Sequence, residues 1–139
     1  MFIVRKKVYF CAAHRLHSPH LSNKKNKETY GKCNSPNFHG HNYEVEVEVK
    51  GEIDPKTGMV INFKELGDLI ENEIIEKWDH KNLNIDVEDL NDIIPTAENI
   101  AKKIWEILER KLTQGKLHSI TVGEKESNIV TYLGENRKE

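Results

Sequence analysis

The residues of this sequence best suited to chemistry are histidines. His39 and His41 flank Gly40 in a run that alternates strictly, and residues two apart on a strand project to one face, so both imidazoles can converge on one ion. A third nitrogen must come from elsewhere. His14, the polar end of an apolar row formed by Val4, Val8, Phe10 and Ala12, is the natural donor. Three neutral imidazoles with a fourth position open make a catalytic zinc site rather than a structural one. Spacing alone also admits a blander reading, in which each histidine is a half-buried strand residue and the pairing is chance. His17, His20 and His118 read as surface residues.

Cys33 stands six positions before His39, in Gly31-Lys32-Cys33-Asn34-Ser35-Pro36, so the loop can fold the thiol back beside the metal. There the cation, Lys32 or an imidazole would favour the thiolate; an inert loop thiol is the alternative. Cys11 falls on the strand face opposite His14 and reads as a packing residue. Asp79-His80 places a carboxylate next to an imidazole, which can fix the histidine tautomer and prepare a proton shuttle. A helix-terminal histidine beside a solvated aspartate would give the same dipeptide. Glu124 follows Ile120 and Val122 on one strand face, where a carboxylate is out of place. It is either an edge residue facing water or an anchor for a ring bearing several N–H donors.

The elements that must position these groups are legible as periodicities. Residues 2 to 13 and 39 to 49 alternate as half-buried strands, the second with His39, His41, Tyr43, Val45, Val47 and Val49 on one face and Asn42, Glu44, Glu46 and Glu48 on the other. Between them, residues 17 to 37 show neither period, and a loop of that length in a compact domain usually carries function. Asp54-Pro55-Lys56-Thr57-Gly58 has the residues of a tight turn, after which Met59-Val60-Ile61 would return as a short strand. Asn62 and Glu65 resemble a capping box for a helix over 63 to 77, whose face is Phe63, Leu66, Ile70, Ile74 and Trp78. Residues 79 to 95 are irregular. Thr96 can cap a second helix with Ile100, Ile104, Ile107 and Leu108 inward, and residues 117 to 125 and 128 to 133 read as two strands around a turn. Residues 136 to 139 are expected to fray.

With 139 residues the chain suits one domain, residues 1 to 139. Apolar residues are 37% and charged residues 32%, which predicts a thin core that self-association would supplement. A formal charge of −2 with interspersed signs gives no basic stripe, so nucleic acid is not expected as a partner. No apolar run approaches the roughly 20 residues that span a bilayer, and the start lacks a signal-peptide order, so no membrane is expected and the cytoplasm is the expected location. Of two cysteines at least one should be a free thiol.

Taken in order, Phe10-Cys11-Ala12-Ala13-His14-Arg15-Leu16, residues 31 to 43, Gly51-Glu52-Ile53-Asp54-Pro55, Asp79-His80-Lys81-Asn82-Leu83 and Thr96-Ala97-Glu98-Asn99 resemble the 6-pyruvoyltetrahydropterin synthase family. The resemblance runs from residue 8 to about 135 and implies Zn2+ on His14, His39 and His41, a catalytic thiol at Cys33, and assistance from Asp79 and His80. It implies that Glu124 grips the amino-pyrimidine edge of a pterin, with Thr96 and Glu98 lining the same pocket. The implied fold is α+β, a four-stranded antiparallel sheet with two helices on one face in the order β-β-α-α-β-β. Three copies of this tunnelling fold would close a barrel and two trimers would stack into a homohexamer. The site would lie between subunits, Asp79 and His80 serving a neighbour's Cys33. The implied substrate is a pterin triphosphate, 7,8-dihydroneopterin triphosphate, converted by a lyase with loss of triphosphate. The related 6-carboxytetrahydropterin synthases of the queuosine pathway, and a non-catalytic zinc module, are the alternatives. Phe38 stands where the animal enzymes usually carry glycine, Gly123 where a bulkier residue is common, and Pro95-Thr96 resembles the queuosine relatives.

Overall fold

Two long strands carry the architecture of the computed structural model, which describes residues 1–135 and so leaves the expected frayed end, 136–139, outside the described residues. β1 (Phe2–His14) and β2 (His39–Gly51) pair antiparallel along their whole length, with Phe2 opposite Gly51 and His14 opposite His39. Alternation sorts their faces as expected. Tyr43, Val45, Val47 and Val49 are fully buried beside Phe10 and Ala12. On the other face Arg5 sits opposite Glu48 and Lys7 opposite Glu46, and Arg5 Nε bonds a Glu48 carboxylate oxygen at 2.5 Å. Such cross-strand pairs hold register on a face that apolar burial cannot hold.

The sheet is wider than expected and mixed, five strands rather than four antiparallel ones, in the order β3-β1-β2-β4-β5. β4 (Lys116–Lys125) and β5 (Asn128–Tyr132) form the expected hairpin, whereas β3 (Lys81–Asn82) runs parallel to β1. Two residues show no period, so β3 is invisible in a sequence pattern. It exists because the chain leaving the first long helix is zipped onto β1, His80 N–H donating to the Cys11 carbonyl at 2.6 Å and Leu83 N–H to that of Ala13 at 2.8 Å. Met59-Val60-Ile61 is not the strand expected of it. Met59 makes one isolated bridge to Asp54, and Val60 and Ile61 turn into the core.

α2 (Phe63–Ile70) runs through a π-helical stretch, Glu71–Ile75, into α3 (Glu76–Trp78). Leu66, Ile70, Ile74 and Trp78 are all fully buried at a spacing of four. In a 3.6-residue helix that row drifts by about 40° per step, and the wider turn takes up the drift. Phe63, counted on that face from sequence, is 51% exposed, because it lies before the first buried turn. α4 (Ala97–Lys111) packs Ile100, Ile104, Ile107 and Leu108 inward as expected. These helices and the apolar sheet face share one buried cluster. Among the described residues no helix is long and apolar enough to cross a membrane.

The segment expected to be irregular contains α1 (Asn23–Tyr30) followed by a 3-10 turn, Gly31–Asn34. α1 has no apolar face; its one buried side chain is Asn26, which accepts from Ser18 N–H at 2.7 Å and donates to the Ser18 carbonyl at 3.0 Å. Hydrogen bonds rather than burial of hydrocarbon dock this helix, so hydrophobic periodicity misses it. Ser22, which caps it through Lys25 N–H at 3.0 Å, was the available signal.

Candidate metal centre and active site

The register of β1 on β2 brings the three histidines together. His14 faces His39 directly and Ala12, with its small side chain, faces His41. The ring centroids lie 4.6 Å (His14 to His39), 5.0 Å (His14 to His41) and 4.9 Å (His39 to His41) apart, each pair edge to face. One ring nitrogen from each lies within 4.8 Å of the other two, a span that small ring rotations close onto ion–nitrogen distances of about 2.0–2.1 Å.

The hydrogen bonding decides what these rings can do. His14 is completely buried, and its Nδ1 lies 2.8 Å from the carbonyl of Pro95. A carbonyl only accepts, so Nδ1 carries the proton and Nε2 keeps its lone pair. Tyr43 Oη lies 3.1 Å from the same Nδ1 and helps to hold the ring. His14 Nε2, His41 Nε2 and both nitrogens of His39 are buried with no hydrogen-bond partner among the described residues. Unpartnered buried nitrogens cost stability, and a cation shared by all three answers the need of each. Burial holds His14 down to about 4 and lowers His41 as well, so both are neutral at pH 7 and can donate lone pairs. The donor set therefore fits a zinc ion, with the Pro95 carbonyl orienting one ligand from behind.

Cys33 is half-buried in the 3-10 turn, and its carbonyl accepts Leu16 N–H at 2.8 Å, which ties the turn to the residues just after His14. The Tyr43 phenol has its pKa raised first by burial, then by Glu124 and Cys33. Both cysteines are free, as expected of at least one. Cys11 does face away from His14, but it is exposed rather than packed, since among the described residues no layer covers that face of the sheet. Phe38 has φ +67°, a conformation that glycine adopts without strain, so the residue that departs from the animal pattern sits where backbone geometry favours glycine.

Glu124 occupies a β-bulge. Gly123 pairs with Ile129 and Lys125 with Asn128, leaving Glu124 as the extra residue. A bulge re-aims a side chain, which explains a carboxylate on an otherwise apolar face. Glu124 lines an open concavity of about 500 Å³ with His41, Gly123 and Asn42, and its charge raises the His41 pKa against burial. A Cβ on Gly123 would meet nothing nearer than 3.6 Å, so the glycine widens this concavity without being required by space.

Asp79 and His80 form the expected pair, His80 Nδ1 lying 3.0 Å from Asp79 Oδ2. Asp79 Oδ1 accepts Cys11 N–H at 2.9 Å, the main cause that lowers its pKa. His80 adopts φ +62° and its side chain is 80% exposed. Among the described residues no hydrogen bond, ion pair or ring contact joins this dyad to the three histidines of the same chain. Thr96 is engaged as the cap of α4, accepting Asn99 N–H at 3.2 Å, and Glu98 is exposed on the first turn. Sequence reasoning missed two supports, the Tyr43 hydroxyl and the Pro95 carbonyl. The alternation of β2 did put Tyr43 on the histidine face, but nothing local announces a carbonyl 81 positions away from His14. His17 and His118, read as surface residues, are half-buried, whereas His20 is exposed.

Sheet, helices and histidine cluster together define an α+β enzyme built around a metal-competent site, and the comparisons make the class specific. The sequence model of the family described as 6-pyruvoyl tetrahydropterin synthase matches residues 3–135. The 6-pyruvoyl tetrahydrobiopterin synthase of Homo sapiens is 48% identical over 132 residues, 95% of this chain and 91% of that protein. The solved structure of Caenorhabditis elegans 6-pyruvoyl tetrahydropterin synthase superimposes with a TM-score of 0.91 at 40% identity, covering 96% of each chain. A putative 6-carboxy-5,6,7,8-tetrahydropterin synthase of Archaeoglobus fulgidus is 42% identical over 73 residues, 52% of this chain and 57% of that protein. The chain belongs to the 6-pyruvoyl tetrahydropterin synthase family and is a lyase of that type.

Proposed function

We propose that this chain is a zinc-dependent lyase that converts 7,8-dihydroneopterin triphosphate to 6-pyruvoyltetrahydropterin with loss of triphosphate. The observation that carries the reading is the set of buried, unpartnered nitrogens on His14, His39 and His41, aimed at one another from two paired strands. A zinc ion there would act as a Lewis acid toward the side-chain oxygens and so acidify the adjacent C–H bonds. Cys33, as thiolate, takes a carbon-bound proton. His80, its tautomer set by Asp79, relays protons as the side chain is oxidised and the ring reduced. Glu124 accepts from the N–H donors of the pterin's amino-pyrimidine edge, and Thr96 and Glu98 line the pocket.

The site is completed between copies. The dyad faces outward, and β3 covers β1 only at Ala12 and Ala13, so most of that sheet edge is open. Phe2, Ile3 and Tyr9 near this edge and Ile129 on β5 are at least 47% exposed, apolar surface that association would cover. A homohexamer of two trimers, each a closed barrel of single-domain chains, fits both features, and the cytoplasm is its location.

A second reading, 6-carboxytetrahydropterin synthesis with release of acetaldehyde, is favoured by the partial match to the archaeal relative. The six-position step from Cys33 to His39 speaks for the first, because it sets the thiol differently against the side-chain carbons than the shorter step of the queuosine enzymes. Incubation of the zinc-loaded protein with 7,8-dihydroneopterin triphosphate should release triphosphate and give 6-pyruvoyltetrahydropterin by mass. Acetaldehyde in proportion to substrate consumed would establish the second reading instead.

A further inference from the structure

The segment joining β1 to β2 carries polar and charged side chains that the reaction as described leaves without a task. Arg15, His17, Lys27 and Lys32, with the polar Asn34 and Ser35, line an open concavity of about 610 Å³ whose lining includes no carboxylate. The ion pairs of the described residues engage Lys24 with Glu28 and Arg5 with Glu46 and Glu48, but none of Arg15, Lys27 or Lys32. Three uncompensated cations around one hollow repel each other, and a bound polyanion relieves that repulsion.

The hollow is built rather than incidental. Asn34, 4% exposed, donates to the Leu16 carbonyl at 2.7 Å and lies 3.0 Å from His17 Nδ1, while its own carbonyl accepts Arg15 Nε at 2.9 Å. Arg15 and His17 are thus held by a buried hub. The Asn26 bonds to Ser18 dock α1, which carries Lys27 to the same hollow. Its position is equally specific. Arg15 follows the histidine that ends β1, and Lys32 and Asn34 flank Cys33 in one turn. Cys33 itself does not line the hollow.

We propose that this hollow binds the triphosphate of the substrate, with Lys27, Lys32 and Arg15 as its anchors, an assignment that rests on the reaction proposed above. When the C–O bond to the triphosphate breaks, its electron pair leaves on the triphosphate oxygen as the carbon-bound proton goes to Cys33. Cations held at the leaving group stabilise that charge without reorganising. A guanidinium and two ammonium groups suit the tetrahedral oxygens of an oligophosphate, and the volume suits a small ligand rather than a nucleic acid strand.

The test is calorimetric titration of the zinc-loaded protein with sodium tripolyphosphate, alongside steady-state kinetics, for the wild type and the Lys27→Ala/Lys32→Ala double variant. Unchanged zinc content and circular dichroism establish that the variant is folded. The variant should bind tripolyphosphate about tenfold or more weakly and show a KM raised by a similar factor, while phosphate-free 7,8-dihydroneopterin binds as before. Lys27→Arg/Lys32→Arg should restore affinity, and added salt should weaken binding in the wild type more than in the variant. Equal tripolyphosphate affinity and equal KM in wild type and double variant would overturn the proposal while leaving the reaction intact. A wild type that binds tripolyphosphate through these lysines but forms neither pterin product would sink the reaction and leave an oligophosphate site.

Discussion

The histidine cluster and the Asp79–His80 dyad both draw on β1, yet they are built in opposite ways. His14 is buried at the inner face of the strand, its ring oriented by the Pro95 carbonyl just ahead of α4 and a tyrosine from β2. The dyad hangs on the same strand through the backbone of Cys11, with His80 projecting outward. One group is complete within a chain, and the other is aimed away from it. The contrast teaches that metal binding should be a property of the folded protomer, whereas proton relay should require assembly.

The largest effect should come from breaking the first half. His14→Ala or His39→Ala should each reduce zinc from one ion per chain to little or none, measured by atomic emission after dialysis, because each lost imidazole removes a third of the protein's ligands. Zinc content equal to wild type in both variants would dissolve the cluster as a site.

Next in size is a test of the division itself. Cys33→Ala and His80→Ala should each keep zinc and lose about two to four powers of ten in turnover, as expected for a proton-transfer group. Mixing the two inactive proteins under conditions of subunit exchange should restore part of the activity, since some interfaces regain an intact thiol facing an intact dyad. Mixtures that stay inactive despite confirmed exchange would place both groups in one chain's site.

The smallest effect separates the two regions by pH. In metal-free protein His14 is held near 4, below the 6.5 of an unfolded histidine, so between those values the unfolded chain binds the extra proton. Stability should therefore fall by about 2 kcal/mol as pH drops from 6.5 to 4, after discounting for the openness of the cluster. Asp79, whose pKa is lowered by the Cys11 N–H and then by His80, contributes stability that is present above its unfolded value of 3.8 and lost only as pH falls further. Urea titrations of wild type and of His14→Gln should differ in slope across the first window and agree at pH 7 and above; identical curves would mean that His14 is not desolvated.

Much of this was decided locally. Alternation along residues 2 to 13 and 39 to 49 put His14, His39, His41 and Tyr43 on inward faces, because a period of two leaves each side chain only one choice once its neighbours are buried. Spacing of four along Leu66, Ile70, Ile74 and Trp78, and the Thr96 cap before Ile100, made the two long helices legible for the same reason. Tertiary structure decided what lies beyond the reach of a period. Burial pattern does not encode which residue of β1 stands opposite His39; that is set by the full register, and it alone turns three histidines into one cluster. α1 is docked by the carboxamide of Asn26, β3 by the backbone N–H groups of His80 and Leu83 donating to the Cys11 and Ala13 carbonyls, and Glu124 is re-aimed by a one-residue slip between β4 and β5. Each of these depends on partners distant in the chain or on hydrogen bonds that leave no hydrophobic trace, and so only the folded molecule could place them.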